Sequence, residues 1–126
     1  MTLKNQEKES DTMMISRGDI YMARLYEDQD GGSLQEGIRP ILVISNDKCN
    51  EHSPIITIVP FTTKLRKNPL PTHVVVEGCG LRTKSLVLAE QILSINKSRL
   101  EQRLGSIRKS QYEKRIDNAI KIQLSV

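Results

Sequence analysis

The fold is decided by one stretch of the sequence, Gly37-Ile38-Arg39-Pro40-Ile41-Leu42-Val43-Ile44-Ser45-Asn46-Asp47. Its four consecutive apolar residues, Ile41 to Ile44, predict a strand buried on both faces, since the run is too short for a helix. Pro40 has no N–H for a β-ladder, so we expect it at the start or edge of that strand. Arg39 is then expected where a loop enters the sheet. Its planar guanidinium suits a phosphate there, and the alternative is an ordinary rim salt bridge.

Composition predicts one domain with an aliphatic core. The chain has 126 residues, 37% of them hydrophobic, only 3% aromatic, and no Trp. Lys and Arg number 19 against 15 for Asp and Glu, and this mild basic excess permits a polyanionic partner. No apolar run approaches the ~18 residues of a membrane span, so we expect no membrane association and a cytoplasmic protein. Cys49 and Cys79 lack metal-ligand or CxxC spacing and are predicted to be inert free thiols.

The order of the segments favours an α+β, mostly β domain. Residues 1–15 are polar and mixed in charge and are expected to form a disordered leader, with the domain over 16–126. Strands are predicted over 17–25, 41–45, 55–61, 73–77 and 85–92. Long polar loops are predicted over 26–38 and 46–54, and a basic, proline-punctuated loop over 64–71.

The C-terminal residues change to a helical period. Ser110 followed by Glu113 fits a capping box, and the apolar positions of one helical face follow it: Tyr112, Ile116, Ala119, Ile120 and Leu124. Leu100 and Leu104 favour a shorter helical turn before it. Strands first and a helix last indicate an α+β class.

These motifs resemble the MazF/PemK family of toxin endoribonucleases. The resemblance runs from about Arg17 to Leu124 and rests on the order and spacing of short segments. They are Arg17-Gly18-Asp19-Ile20-Tyr21, Gly37-Ile38-Arg39-Pro40, Asn46-Asp47, Pro60-Phe61-Thr62-Thr63, Leu70-Pro71-Thr72-His73-Val74 and Ser85-Leu86-Val87-Leu88-Ala89-Glu90-Gln91-Ile92.

The resemblance implies a small SH3-like antiparallel β-barrel of the CcdB/MazF type, with a C-terminal helix, paired as a homodimer. It implies cleavage of single-stranded mRNA at a short sequence, without metal or cofactor. It also implies an antitoxin that occludes the RNA groove, and we expect that antitoxin to be acidic.

By position, the resemblance assigns the catalytic pair to Arg39 and Thr62. The candidate RNA-binding residues are Ser33, Gln35, Lys64, Arg66, Lys67 and Gln91. One departure lies in the loop before Arg39, where Leu34 stands in place of an acidic side chain common in relatives. This departure weakens any general-base role carried over to the loop.

RNA carries its own nucleophile, the 2′-OH beside the scissile phosphate, so positioning and charge stabilisation supply most of the catalysis. This route predicts a 2′,3′-cyclic phosphate and a 5′-OH. The general base is left open, with Glu36 the nearest carboxylate in sequence. A two-imidazole scheme using His52 and His73 is an alternative.

Two other functions are compatible with the residues. One is a toxin of the same fold that poisons a protein such as gyrase without catalysis. The other is a dimeric binding module whose active site has decayed. The presence of Leu34 in the loop keeps this alternative open. Arg39 together with Thr62 favours the nuclease over the protein poison, and an RNA cleavage assay separates these two.

Overall fold

A computed structural model describes residues 14–25, 35–67 and 69–126, and seven strands and two α-helices lie within them. The strands are β1 (Asp19–Leu25), β2 (Gly37–Val43), β3 (Ile55–Thr62), β4 (His73–Val76), β5 (Ser85–Leu88), β6 (Leu93–Asn96) and β7 (Leu100–Ser106). The helices are α1 (Asp47–His52) and α2 (Tyr112–Leu124), and a single 3₁₀ turn covers Lys97–Arg99.

The strands form one antiparallel sheet in the order β4-β5-β3-β2-β1-β7, with β6 also paired to β3. The predicted mostly-β class with a C-terminal helix is confirmed. The sheet curls, but hydrogen bonds do not close it into a barrel. No ladder within the described residues joins the edge strands β4 and β7.

Two glycines bring the ends of the sheet together. The turn that follows β4 reaches Gly80, which lies against the Leu104 carbonyl of β7, while Gly105 lies against the Cys79 carbonyl. A Cβ on either glycine would overlap the opposing backbone. Gly80 also has a φ of +96°, which side-chain-bearing residues rarely adopt. The contact therefore requires glycine at both positions, 80 and 105.

Apolar side chains fill both faces of the central strands, since successive residues of a strand point to opposite faces. One cluster contains Ile20, Leu42, Val59 and Phe61, and α2 adds Ile116 and Ala119 to it. The other contains Tyr21, Ala23, Ile41, Val43, Ile56 and Ile58. Ile15 is buried in this second cluster, so the folded part begins no later than Ile15. Residues 1–13 of the predicted leader lie outside the described residues.

Strand β2 begins four residues earlier than predicted. Pro40 is in mid-strand, opposite Met22 of β1, and not at the strand's start. Pairing with β3 starts only at Ile41. At Pro40, therefore, β2 has no hydrogen-bond ladder on the side that faces β3. The missing N–H of the proline is tolerated there.

Three other segments differ from the sequence prediction. The segment 46–54 contains α1, whose N-cap Asn46 accepts a hydrogen bond from the Cys49 N–H at 2.9 Å. The helical turn predicted at Leu100 and Leu104 is wrong, because both residues lie on β7. A spacing of four residues fits one face of a strand as well as one face of a helix. The strand predicted over 85–92 ends at Leu88 in a turn that leads to β6.

The predicted Ser110–Glu113 capping box does not form as a reciprocal pair: the N-cap of α2 is Gln111, without a side-chain cap bond, and the two side chains bond to other backbone N–H groups. The Ser110 hydroxyl accepts from the Tyr112 N–H at 3.1 Å, and the Glu113 carboxylate accepts from the Lys109 N–H at 3.3 Å. Placing Leu124 on the buried face is wrong: its exposure is 53%, because it lies in the last turn of the helix, beyond the sheet.

We expect Gly105→Ala to destabilise the fold by about 1–3 kcal/mol, because the added methyl overpacks a backbone contact. Gln102→Ala, on an exposed position of the same strand, is the control and should change stability by less than about 0.5 kcal/mol. Urea unfolding of the two variants checks this. Equal midpoints for Gly105→Ala and the parent would show that the contact carries no stability.

Candidate active site

Arg39 and Thr62 lie on the neighbouring strands β2 and β3, each just beyond the ladder that joins these strands. The β2–β3 ladder pairs Val43 with Ile58 and ends at Ile41 with Pro60. The same register, continued by two residues, would place Thr62 opposite Arg39. Both side chains belong to the face of the sheet that carries the second apolar cluster. Residues an even number of positions apart on a strand share a face, and Arg39 is so related to Ile41, and Thr62 to Ile58, in that cluster.

The Arg39 guanidinium is anchored at one nitrogen only. Its Nε donates to the Glu36 carbonyl at 2.7 Å. Within the described residues, no carboxylate pairs with Arg39 and no group accepts from its two terminal nitrogens. Its neighbour across the β1 ladder is the small Ala23. The rim salt bridge is therefore absent from the described part of the chain, and the fork of donors is available for an anion.

Thr62 is buried, and its hydroxyl is oriented by the backbone that follows. The Oγ1 atom accepts from the Lys64 N–H at 3.2 Å. A hydroxyl that accepts one hydrogen bond still has its own proton to donate. Thr62 thus ends β3 and also presents a donor on the face that it shares with Arg39.

The loop before Arg39 is tied to the turn after β5. The Gln35 N–H donates to the Gln91 Oε1 at 3.0 Å. The side-chain oxygen of Gln35 is buried and has no hydrogen-bond partner in the described part of the chain. The structure therefore brings together two of the predicted RNA-binding residues. Ser33 and Leu34 lie outside the described residues.

The basic loop begins directly after Thr62. Its cations, Lys64, Arg66 and Lys67, are all exposed, and no described carboxylate forms a salt bridge with them. Three cations without a described carboxylate partner thus follow Thr62 in the chain and place positive charge on one side of the candidate site.

His73 and Glu90 form a close polar pair beyond this loop. His73 Nε2 lies 2.8 Å from Glu90 Oε2, and His73 Nδ1 accepts from the Leu70 N–H at 2.9 Å. The Thr72 hydroxyl donates to Glu90 Oε1 at 2.9 Å. Burial raises the pKa of Glu90, but the hydrogen bonds from His73, its own backbone N–H and Thr72 outweigh it, so that the net pKa lies below its ordinary value. The Glu90 carboxylate is therefore held in its charged form.

The structure keeps the two histidines apart. His52 ends α1, before the first residue of β3, and its side chain is exposed. His73 pairs with Leu88 of β5, a strand that meets β3 only at Phe61 and Thr62, its far end. The two-imidazole scheme needs both rings at one phosphate, and this arrangement does not provide it.

Glu90 and Thr72 were not among the predicted site residues. A single acidic residue after the apolar run Leu86–Ala89 was the available signal. A carboxylate rarely lies next to a buried strand unless it is paired.

The family model for PemK-like, MazF-like toxins of type II toxin–antitoxin systems matches residues 16–124. The chain belongs to this family. It is 38% identical over 115 residues to the endoribonuclease MazF of Staphylococcus saprophyticus, covering 90% of this chain and 93% of that protein.

Solved structures of similar proteins agree with the assignment of this chain to the PemK/MazF-like toxins. An endoribonuclease in complex with its cognate antitoxin, from a mycobacterial species, is 26% identical, with a TM-score of 0.70 and coverage of 89% of this chain and 96% of that one. MazF from Deinococcus radiodurans, at 21% identity and a TM-score of 0.70 over 90% of this chain and 98% of that one, has the same fold.

Other features of the toxin concern metals, thiols and membranes. Its described residues contain no group of three or more His, Cys, Asp or Glu side chains placed to hold a metal ion. Cys49 and Cys79 are free thiols. Among the helices in the described ranges, none is long and apolar enough to cross a membrane.

Proposed function

We propose that Arg39 and Thr62 are the catalytic pair of this toxin endoribonuclease. The observation that carries the proposal is the guanidinium whose terminal nitrogens have no described partner, on the strand that neighbours the one carrying a hydroxyl on the same face of the sheet. A phosphate between the two strands would receive donors from both. The match to the toxin family and the 38% identity to an endoribonuclease support the same function.

In the proposed reaction, the 2′-OH of the RNA attacks the adjacent phosphorus. A P–O2′ bond forms as the P–O5′ bond breaks, which leaves a 2′,3′-cyclic phosphate and a 5′-OH. The 2′-OH loses its proton and the departing 5′ oxygen gains one. The terminal nitrogens of Arg39 stabilise the charge that grows on the phosphoryl oxygens. The Thr62 hydroxyl donates to one of these oxygens and orients the phosphate.

The Glu36 carbonyl contributes to this arrangement through the backbone. It holds Nε of Arg39 at 2.7 Å, which restricts the guanidinium before RNA binds. A donor fixed in advance stabilises developing charge without reorganisation at the moment of reaction. Because this contact uses only Nε, the two terminal nitrogens keep their bidentate geometry.

Single-stranded mRNA is the proposed substrate. Lys64, Arg66 and Lys67 would contact its phosphates, and Ser33, Gln35 and Gln91 would lie along the bases. An unpaired strand exposes base edges and the 2′-OH for such contacts. Because aromatic residues make up only 3% of the chain, we expect recognition through hydrogen bonds and charge more than through stacking. The site of action would be the cytoplasm, where mRNA is found.

We expect Arg39→Ala to reduce the rate of RNA cleavage by at least ~10²–10³, the effect of deleting one preorganised donor to a developing charge. Arg39→Lys should recover little, because an ammonium lacks the bidentate fork. Thr62→Ala should slow cleavage less than Arg39→Ala, and Thr62→Ser should cleave almost like the parent. Cleavage of a labelled RNA and thermal melting are measured on each variant.

Arg24→Ala is the matched control, since Arg24 lies on the neighbouring strand β1 in an exposed salt bridge with Glu101. It should cleave at the parental rate. If Arg39→Ala melts like the parent and still cleaves at the parental rate, the catalytic assignment is wrong.

We expect cleavage to continue in EDTA, since the proposed reaction uses the 2′-OH and protein donors alone. The products should carry a 2′,3′-cyclic phosphate and a 5′-OH, detected by resistance of the 3′ end to ligation and by direct 5′ labelling with a kinase. Loss of activity in EDTA with recovery on adding a divalent ion would contradict this. A 5′-phosphate would mean that water was the nucleophile.

We expect RNA affinity to weaken with salt, with a slope of log K against log salt of about −0.7 per phosphate contact. Replacing Lys64, Arg66 and Lys67 together by Gln should make that slope shallower. The matched control replaces Lys114, Arg115 and Lys121, exposed cations of α2, and should leave the slope unchanged. An unchanged slope in the first variant would remove the basic loop from the RNA site.

We also propose that the toxin is a homodimer inhibited by an acidic antitoxin. A chain of 126 residues is small for a groove that holds several nucleotides, and two copies would extend it. The solved mycobacterial relative with its antitoxin supports the second partner, and the formal charge of +4 favours an acidic one. Sedimentation should give a dimer that an acidic antitoxin binds. A monomer at working concentrations would contradict the first part, and a basic antitoxin the second.

A further inference from the structure

The turn between β5 and β6, residues 89–92, contacts both loops that flank the candidate site. On one side, the Ala89 N–H donates to the Thr72 carbonyl at 3.1 Å, and the Glu90 carboxylate binds Thr72 and His73. On the other side, the Gln91 side chain accepts from the Gln35 N–H. Two consecutive side chains, Glu90 and Gln91, therefore hold opposite borders of the site.

The His73 ring has no capacity left for chemistry. Its Nδ1 accepts a backbone N–H, so that nitrogen carries no proton, and its Nε2 donates to Glu90. The ring is buried, with 2% of its side chain exposed. It therefore links the Leu70 N–H, at the end of the basic loop, to the Glu90 carboxylate.

The Glu90 carboxylate would be unfavourable to RNA if it were open to solvent. It lies at the border of a site for a polyanion, but both of its oxygens accept hydrogen bonds from Thr72 and His73. These donors spread its charge and fix its direction, so the carboxylate stabilises the loop while its own oxygens stay occupied.

We propose that Glu90 is a positioning residue for RNA binding. Through Thr72 and His73 it fixes the end of the basic loop, and its neighbour Gln91 fixes the loop before Arg39 from the same turn. The role rests on the proposed function of the basic loop as a phosphate-binding segment. Glu90 touches neither the RNA nor Arg39, and its effect on cleavage passes through the geometry of the loop cations.

A positioning role predicts a particular kinetic pattern. When Glu90 is truncated, Lys64, Arg66 and Lys67 remain, but their loop loses the support that Glu90 gives to His73, which accepts from the Leu70 N–H at the end of the loop. Contacts that are equally strong in the bound substrate and in the transition state affect KM and leave kcat unchanged. Glu90→Ala should therefore raise KM for RNA about tenfold and change kcat by less than about twofold. If Glu90 only stabilised the fold, truncating it would lower the melting temperature and leave KM unchanged at temperatures well below melting.

Glu90→Gln provides the rescue. Its amide oxygen can accept from His73 Nε2, and its NH₂ can donate to the Thr72 hydroxyl, which accepts as well as donates. KM should return to within about twofold of the parent. Glu101→Ala removes an exposed carboxylate from β7 and is the control for the loss of one negative charge.

The experiment measures kcat and KM for one short RNA, with thermal melting, on the parent, Glu90→Ala, Glu90→Gln and Glu101→Ala. A parental KM in folded Glu90→Ala overturns the proposal, as does a Glu90→Gln variant no better than Glu90→Ala. If Glu90→Ala does not fold, Thr72→Val decides: it removes one of the two donors, and a raised KM supports the role while a parental KM overturns it.

Arg39→Ala in the same series keeps this result separate from the catalytic proposal. Full cleavage by Arg39→Ala with a raised KM in Glu90→Ala would reject the catalytic pair and retain the positioning role. An inactive Arg39→Ala with a parental KM in Glu90→Ala would do the reverse.

Discussion

The register between β2 and β3 is the constraint on which the site depends. Side chains of a strand alternate between the faces of the sheet, so a slip of one residue would move Arg39 or Thr62 to the opposite face. The buried pairs Leu42–Val59 and Val43–Ile58 hold this register, since each fills one of the two apolar clusters. The aliphatic core therefore sets which polar groups meet at the end of the two strands.

The proline at position 40 is part of the same arrangement. Because Pro40 has no N–H, the β2–β3 ladder can end just past it without leaving a donor unpaired. Arg39 on β2 and Thr62 on β3 lie just beyond the end of this ladder. The end of the hydrogen-bond ladder, next to a guanidinium whose terminal nitrogens have no partner among the described residues, is a place where a phosphate can approach both side chains. The turn 89–92 is hydrogen-bonded both to the loop before Arg39 and to the end of the basic loop.

Much of this arrangement was predictable from local residue patterns. The apolar run after Pro40, the strand before Thr62 and the C-terminal helix are encoded within a few residues, and the structure contains these elements. The extent of β2 was missed because Gly37, Ile38 and Arg39 are mostly exposed and carry no apolar run; their strand conformation comes from pairing with β1. Strand β7 was missed for a similar reason, since only Leu100 on it is fully buried. The Glu90–His73 link could not be predicted, because it joins residues 17 positions apart in the chain through a turn whose shape only the folded sheet defines.

The central claim is that Arg39 and Thr62 hold the scissile phosphate together. The most direct measurement is NMR of the Arg39 guanidinium nitrogens and the Thr62 methyl group during titration with an RNA whose reacting 2′-OH is replaced by hydrogen, so that it binds and is not cut. If both residues hold the phosphate, both signals should shift and saturate with one affinity, while the Arg24 guanidinium signals stay in place. Saturable binding that leaves the Arg39 signals unmoved would contradict the claim.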